Sequence, residues 1–263
     1  MEQEIQQKLG EETKEGRYVY CIVDKSKSIK FGRIGIENNE VYTITHKGLC
    51  AVVHNCKSQA YISDNEEMVK DWIKTHQNVI DIVSEKFNTV VPLTFDIIVK
   101  GSNKDVVDWL RKDYERLKRT LKKVKDKQEF GIQIFWDEEK IGEKIAGVNQ
   151  EIQNLKKGIK KVSQGEAYFY KNTIETILKK EMEEKADEYF KKFYNMIREH
   201  VNNTKIDKLK KEKDKQMLMN LSCLIHKNKV KKLGAELEKI NRLDGFSVKF
   251  TGPWPPYSFV SPG

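Results

Sequence analysis

The sequence predicts an α+β protein of two tandem domains, the second carrying a pair of long helices. Three observations lead there. The chain has 263 residues, more than one domain usually holds. Runs of β-branched and aromatic residues give way to runs whose apolar residues recur every three and four positions, and this succession occurs twice. In the second half, one such periodic stretch spans three heptads, the pattern of a long helix packed along a narrow seam.

In chain order, residues 18–23 (YVYCIV) read as a strand, and residues 41–56 (VYTITHKGLCAVVHNC) as a hairpin broken at Gly48. Met68, Trp72, Val79, Ile80 and Val83 fall on one face of a helix that begins near Ser63 or Asp64. The segment VVPLTFDIIVKG reads as a strand interrupted by Pro92, which suits an edge or bulge because proline donates nothing to the ladder. A helix over 104–124 follows, with Val107, Leu110, Tyr114, Leu117, Leu121 and Val124 as its apolar stripe. Strand, strand, helix, strand, helix suggests a sheet covered on one face, a ferredoxin-like arrangement.

The second half opens with the strand EFGIQIFWDE. Ile141, Ile145, Val148, Ile152, Leu155, Ile159 and Val162 then step by four and three, residues 163–165 break the pattern, and a further helix covers about 166–201. The two helices should fold back as an antiparallel hairpin, inserted into a second ferredoxin-like unit completed by MLMNLSCLIH, a helix over 230–243 and FSVKFTG. The domains expected are a loose tail over 1–16, an N-terminal domain over 17–126 and a C-terminal domain over 127–263 ending in a Pro/aromatic tail.

Charge and cysteine usage bound the function. The net charge of +9 permits attraction to nucleic acid, acidic proteins or anionic surfaces without choosing among them. No apolar run reaches the ~18 residues of a membrane-spanning helix. The acidic, glutamine-rich first sixteen residues lack the regions of a secretory signal. Four scattered cysteines do not make a disulfide framework, so reduced thiols in a cytoplasm are expected.

No constellation fixes a catalytic centre. Nucleophile elbow, HExxH and glycine-rich phosphate loop are absent. Cys50, His54 and Cys56 share a strand face but lack a fourth ligand, so buried strand residues are expected and no metal or other cofactor. His46, His76, His200 and His226 have no paired nucleophile and read as packing or solvated residues. The basic runs at 111–127 and 205–216 interleave Asp and Glu and lack RNA-reading motifs, so they read as solvated surface. In GPWPPYSFVSPG the prolines favour an extended chain that presents Trp254, Tyr257 and Phe259 to a partner, or that packs back on its own domain.

This tail and its preceding strand, FSVKFTGPWPPYSFV, together with YVYCIV, GLCAVVHNC, HQNVIDIVSEKFNTVVPLTF, KQEFGIQIFWD and GEAYFYKN, resemble the gas vesicle protein family GvpF/GvpL over residues 17–260. Thr94 and Asp96 stand where that family usually carries Arg and Gly, so a role of that arginine is not carried over. The resemblance implies two ferredoxin-like variations without catalytic activity. It also implies a cytoplasmic accessory or minor structural protein that binds the small shell protein and other accessory proteins as gas vesicles form. GvpF and GvpL resemble each other, and the residues do not separate them. The alternative read from charge and fold analogy is an RNA-binding module.

Overall fold

The computed structural model describes residues 15–24, 27–210 and 215–260. The predicted tail therefore lies outside the described residues, apart from Glu15 and Gly16, which already belong to the first strand. The described residues form two compact units: one comprises those up to Glu129 together with residues 253–260, and the other lies within Phe130–Gly252. The C-terminal segment thus belongs with the first unit, whereas sequence order alone places it with the second.

In the first unit, β1 (Glu15–Asp24) is buried at every position between its two ends. A run this continuously apolar and aromatic suits a central strand, because both faces are covered. It pairs antiparallel with β4 (Leu49–Lys57) on one side, and with β5 (Val90–Pro92) and β6 (Ile98–Lys100) on the other. β2 (Lys30–Gly32) and β3 (Val41–His46) complete the order β2-β3-β4-β1-β5, with β6 also on β1. The β3–β4 turn is Lys47–Gly48, both at positive φ (45° and 84°); two consecutive left-handed residues are the geometry that fits the twist of a two-residue hairpin.

Four strands precede the first helix, so the predicted succession of elements fails at β2, whose three residues carry no periodic signal. The strand predicted across Pro92 is two short strands, with β5 at the sheet edge as a proline in the ladder requires. α1 (Glu66–Lys86) starts two residues later than expected, where Asn65 accepts from the backbone of Glu67 and Met68. Trp72, His76, Val79, Ile80 and Val83 line its buried face, while Met68 is 45% exposed. The single helix expected over 104–124 is two, α2 (Asn103–Lys112) and α3 (Tyr114–Val124), and Val106 rather than Val107 faces the core. Ser102 and Asp105 close a capping box at the start of α2.

The second unit contains β7 (Lys127–Trp136), α4 (Glu138–Val148), α5 (Gln150–Ile159), α6 (Gln164–Arg198), β8 (Asn203–Ile206), β9 (Gln216–His226), α7 (Val230–Asn241) and β10 (Phe246–Trp254). β7 and β10 each run past a boundary of the unit. The sheet order is β10-β7-β9-β8, so the first and third strands are central. Ile132, Ile134, Met219, Cys223, Leu233, Phe193 and Ile197 meet in one core.

The predicted long helix breaks at Asn149, whose side chain caps α5 by accepting from Ile152 N at 3.0 Å. The break takes Val148 out of the apolar stripe, leaving it 86% exposed. α5 and α4 both pack against α6, a 35-residue helix opened by the Ser163–Glu166 capping box. The basic run at 205–216 begins in β8, which no pattern in the sequence reveals, and 211–214 lie outside the described residues. Among the described residues, no helix is long and apolar enough to cross a membrane.

Candidate functional site

The segment singled out in the sequence lies at the end of the chain. Pro253 sits in β10, an edge strand that tolerates a missing donor. Beyond Trp254 the backbone turns into a short helix, α8 (Tyr257–Val260), rather than continuing extended. Side chains of the first unit fasten it. Ser258 donates through its N–H to one oxygen of the buried Glu129 carboxylate (2.9 Å) and through its hydroxyl to the other (2.6 Å). Tyr257 donates to Gln77 Oε1 at 3.0 Å, and Lys123 Nζ donates to the carbonyl of Phe259 at 2.9 Å.

Pro256 and Val260 are buried, and Tyr257 and Phe259 are half-buried. Trp254 is 53% exposed. Of the three aromatics predicted to face a partner together, the structure leaves one presented and ties the other two into the fold. The reason is chemical: the backbone of a short helix needs donors and acceptors, which Glu129 and Lys123 supply, while Gln77 holds the Tyr257 hydroxyl.

A second constellation escaped the sequence reading although its members were visible. Strand alternation puts Tyr18 and Tyr20 on one face of β1, and β4 brings His54 opposite Tyr18. A register irregularity between Val19 and Cys21 lies within this stretch. His76 from α1 donates through Nε2 to the carbonyl of Leu93 (3.1 Å), so its Nδ1 accepts from the Tyr18 hydroxyl (2.8 Å). That hydroxyl also accepts from the backbone N–H of Asp96 at 3.1 Å.

Tyr20 accepts from Ile36 N (3.0 Å) and shares a hydrogen bond with His54 Nδ1 (2.7 Å), while His54 Nε2 shares one with the Tyr61 hydroxyl at 3.0 Å. Tyr18 stacks on the His54 ring with centroids 5.0 Å apart. Burial pulls both imidazoles down to about 4 and pushes all three phenols well above their usual range. At neutral pH every member is therefore uncharged, and the cluster acts as a hydrogen-bonded frame.

That frame holds backbone which would otherwise be strained. Asp96 has φ 69°, the left-handed region natural to glycine, and it is the position where the family resemblance expects glycine. Here the Asp96 carboxylate offsets the cost by accepting from Tyr61 N at 3.0 Å. Glu37 and Asn38 are also left-handed, next to Ile36, whose N–H is anchored on Tyr20. Tyr61, Trp72, Glu37, Asn39, Asn55 and Cys56 border a cleft of about 500 Å³.

The thiols of Cys50 and Cys56 are pushed up to about 11, chiefly by burial, and that of Cys21 is pushed higher still. Cys50, His54 and Cys56 do not converge on a metal: no group of three or more potential ligands occurs among the described residues, and both ring nitrogens of His54 are engaged by tyrosines.

Comparison with known proteins decides the family. The model for "Gas vesicle synthesis protein GvpL/GvpF" matches residues 16–261. The chain belongs to the GvpL/GvpF family. Membership places it among the proteins of gas vesicle formation. The chain is 29% identical to gas vesicle protein L1 of Halobacterium salinarum, over 93% of this chain and 90% of that one. It is 26% identical to gas vesicle protein L of Haloferax mediterranei, over 94% and 88%.

Two crystal structures share the fold. GvpF from Anabaena sp. PCC7120 aligns with a TM-score of 0.72 at 17% identity, over 94% of this chain and 99% of that one. GvpF from Microcystis aeruginosa aligns with a TM-score of 0.64 at 18% identity and the same coverage. The GvpL/GvpF match takes in β1 with its two tyrosines, the His54 and His76 positions, and the C-terminal segment through Val260.

Proposed function

We propose that this GvpL/GvpF member is a non-catalytic accessory or minor structural protein that binds the small shell protein and other accessory proteins in the cytoplasm while gas vesicles nucleate and grow. The observation that carries the reading is the family match over nearly the whole chain, residues 16–261. The Tyr–His cluster supports it, since its titratable groups are neutral at pH 7 and already engaged with one another. The second unit reads as a ferredoxin-like variation. Its β-α-β-β-α-β succession, with the α4–α6 hairpin as the first connection, and its order β10-β7-β9-β8 support this.

Trp254 is the proposed contact for a partner, with Tyr257 and Phe259 holding its segment in place. A large amphipathic side chain standing proud of a fastened segment costs little ordering on binding and is the residue type that anchors interfaces. The test is co-purification with the small shell protein at low and high salt, with Trp254→Ala alongside and an RNA-affinity control. Salt-resistant recovery that the substitution abolishes supports the reading. Recovery of RNA without shell protein overturns it, and unchanged recovery by Trp254→Ala overturns the contact alone.

A further inference from the structure

The basic run at 111–127, on which the proposed function does not draw, acquires a definite shape in the first unit. Within it Lys and Arg outnumber Asp and Glu by nine to three. α3 turns Lys118, Arg119 and Lys122 toward the segment that follows α1, and Lys125 lies just past its end. Together with Lys86, Phe87, Asn88 and Thr89 they border a cleft of about 620 Å³. Phe87 and Leu121 contribute apolar lining and are themselves 5% and 3% exposed.

Three carboxylates, Asp24, Glu115 and Asp126, also border the cleft. Among the described residues, none of Lys86, Lys118, Arg119, Lys122 and Lys125 is in an ion pair. Lys118 donates to the Tyr114 hydroxyl, Arg119 to the Glu115 carbonyl, and Lys86 lies 5.2 Å from the Phe31 ring centroid. These contacts orient the cations without neutralising them.

We propose that this cleft binds an acidic peptide segment of a partner protein, with carboxylates meeting the α3 cations and an apolar side chain resting against Phe87 and Leu121. Charge complementarity selects an anionic occupant. The lining selects a peptide over a nucleic acid. Single-stranded nucleic acid needs aromatic faces for its bases and an uninterrupted cationic track. Here the one aromatic ring is buried, and three carboxylates interrupt the track, which suits a chain of mixed side chains. The eleven residues of α3 extend roughly 16 Å, enough for about five residues of extended peptide. The inference does not depend on the gas vesicle role, because the binding is measured on the purified full-length chain alone.

The probe is a fluorescein-labelled twelve-residue peptide of Glu and Leu, read by fluorescence anisotropy. It is compared with its Lys-for-Glu and Ser-for-Leu counterparts and with a twelve-nucleotide uridine RNA. The Glu/Leu peptide should bind at least about tenfold more tightly than either counterpart and than the RNA. The exposed pair Lys118→Glu/Lys122→Glu should weaken it by about tenfold or more. Lys179→Glu/Lys180→Glu on α6 changes the net charge equally and should leave it within about twofold. Failure of the acidic peptide to bind, equal weakening by the two pairs, or tighter binding of the RNA each overturns the proposal. Unchanged thermal melting of both variants shows that the loss is of binding and not of fold.

Discussion

Acidification should unfasten the first unit by way of His54 and His76. Both rings are buried and neutral, and both nitrogens of each are engaged with Tyr18, Tyr20, Tyr61 and the Leu93 carbonyl. Their pKa values fall to about 4 from the ordinary 6.5. Between those values the unfolded chain binds more protons than the folded one, so stability rises with pH through the window. It is fully present above about pH 6.5 and is lost as pH falls toward 4.

Each histidine then removes about 2 kcal/mol by pH 5 and about 3 kcal/mol by pH 4, and the pair about 4 kcal/mol by pH 5. Against typical domain stabilities of about 5–15 kcal/mol that is a large share. Urea denaturation at pH 7 and pH 5 and fixed ionic strength, followed by amide exchange in β1 peptides, reads the first unit separately from the second. His54→Gln/His76→Gln keeps polar side chains that cannot titrate. It should be less stable at pH 7 but lose about 4 kcal/mol less than the parent on going to pH 5. Equal losses in the two proteins would refute the reasoning.

Other outcomes follow from the same geometry. Trp254→Ala should leave the urea midpoint of the first unit within the error of a surface change, about 0.5 kcal/mol. Tyr257→Ala should cost about 2 kcal/mol or more through lost packing and the Gln77 bond. Asp96→Ala keeps the left-handed backbone while losing the acceptor for Tyr61 N, and should cost about 1–3 kcal/mol; Asp96→Gly should cost less, because glycine removes the backbone strain. Ser163→Ala opens the capping box of α6 and should speed amide exchange in its first turns, a local loss of about 1 kcal/mol. Phe193→Ala, in the core of the second unit, should cost about 3–5 kcal/mol in a denaturant melt.

What was legible in the sequence was what periodicity encodes. The strands β1, β4, β7 and β9 and the helices α1, α6 and α7 were announced by alternation, by three-and-four spacing and by length. What was not legible depended on contacts distant in sequence. β2 and β8 are too short to show a period, and they exist because β3 and β9 offer them a ladder. The breaks at Asp113 and Asn149 interrupt stripes that continue in register on either side, so Val107 and Val148 looked like core. The tail was recognised by its prolines and aromatics. Its return to the first unit rests on bonds to Glu129, Gln77 and Lys123 and on burial of Pro256 and Val260, which no local pattern foretells. The Tyr–His frame needed the pairing of β1 with β4, although YVYCIV already placed both tyrosines on one side.

The division of the chain also bears on its birth. The residues of the second unit are consecutive, whereas the first is assembled from two pieces separated by all of the second. On the ribosome, β1 and its neighbours emerge early, yet Glu129 must wait for Ser258, and Gln77 for Tyr257, until the second unit has been made. The usual order, in which the N-terminal domain finishes first, is thereby inverted: the half of the protein that starts first is the last to be completed. A released chain truncated after Gly252 should accordingly show β9 protected from exchange while β1 stays less protected than in the full-length protein.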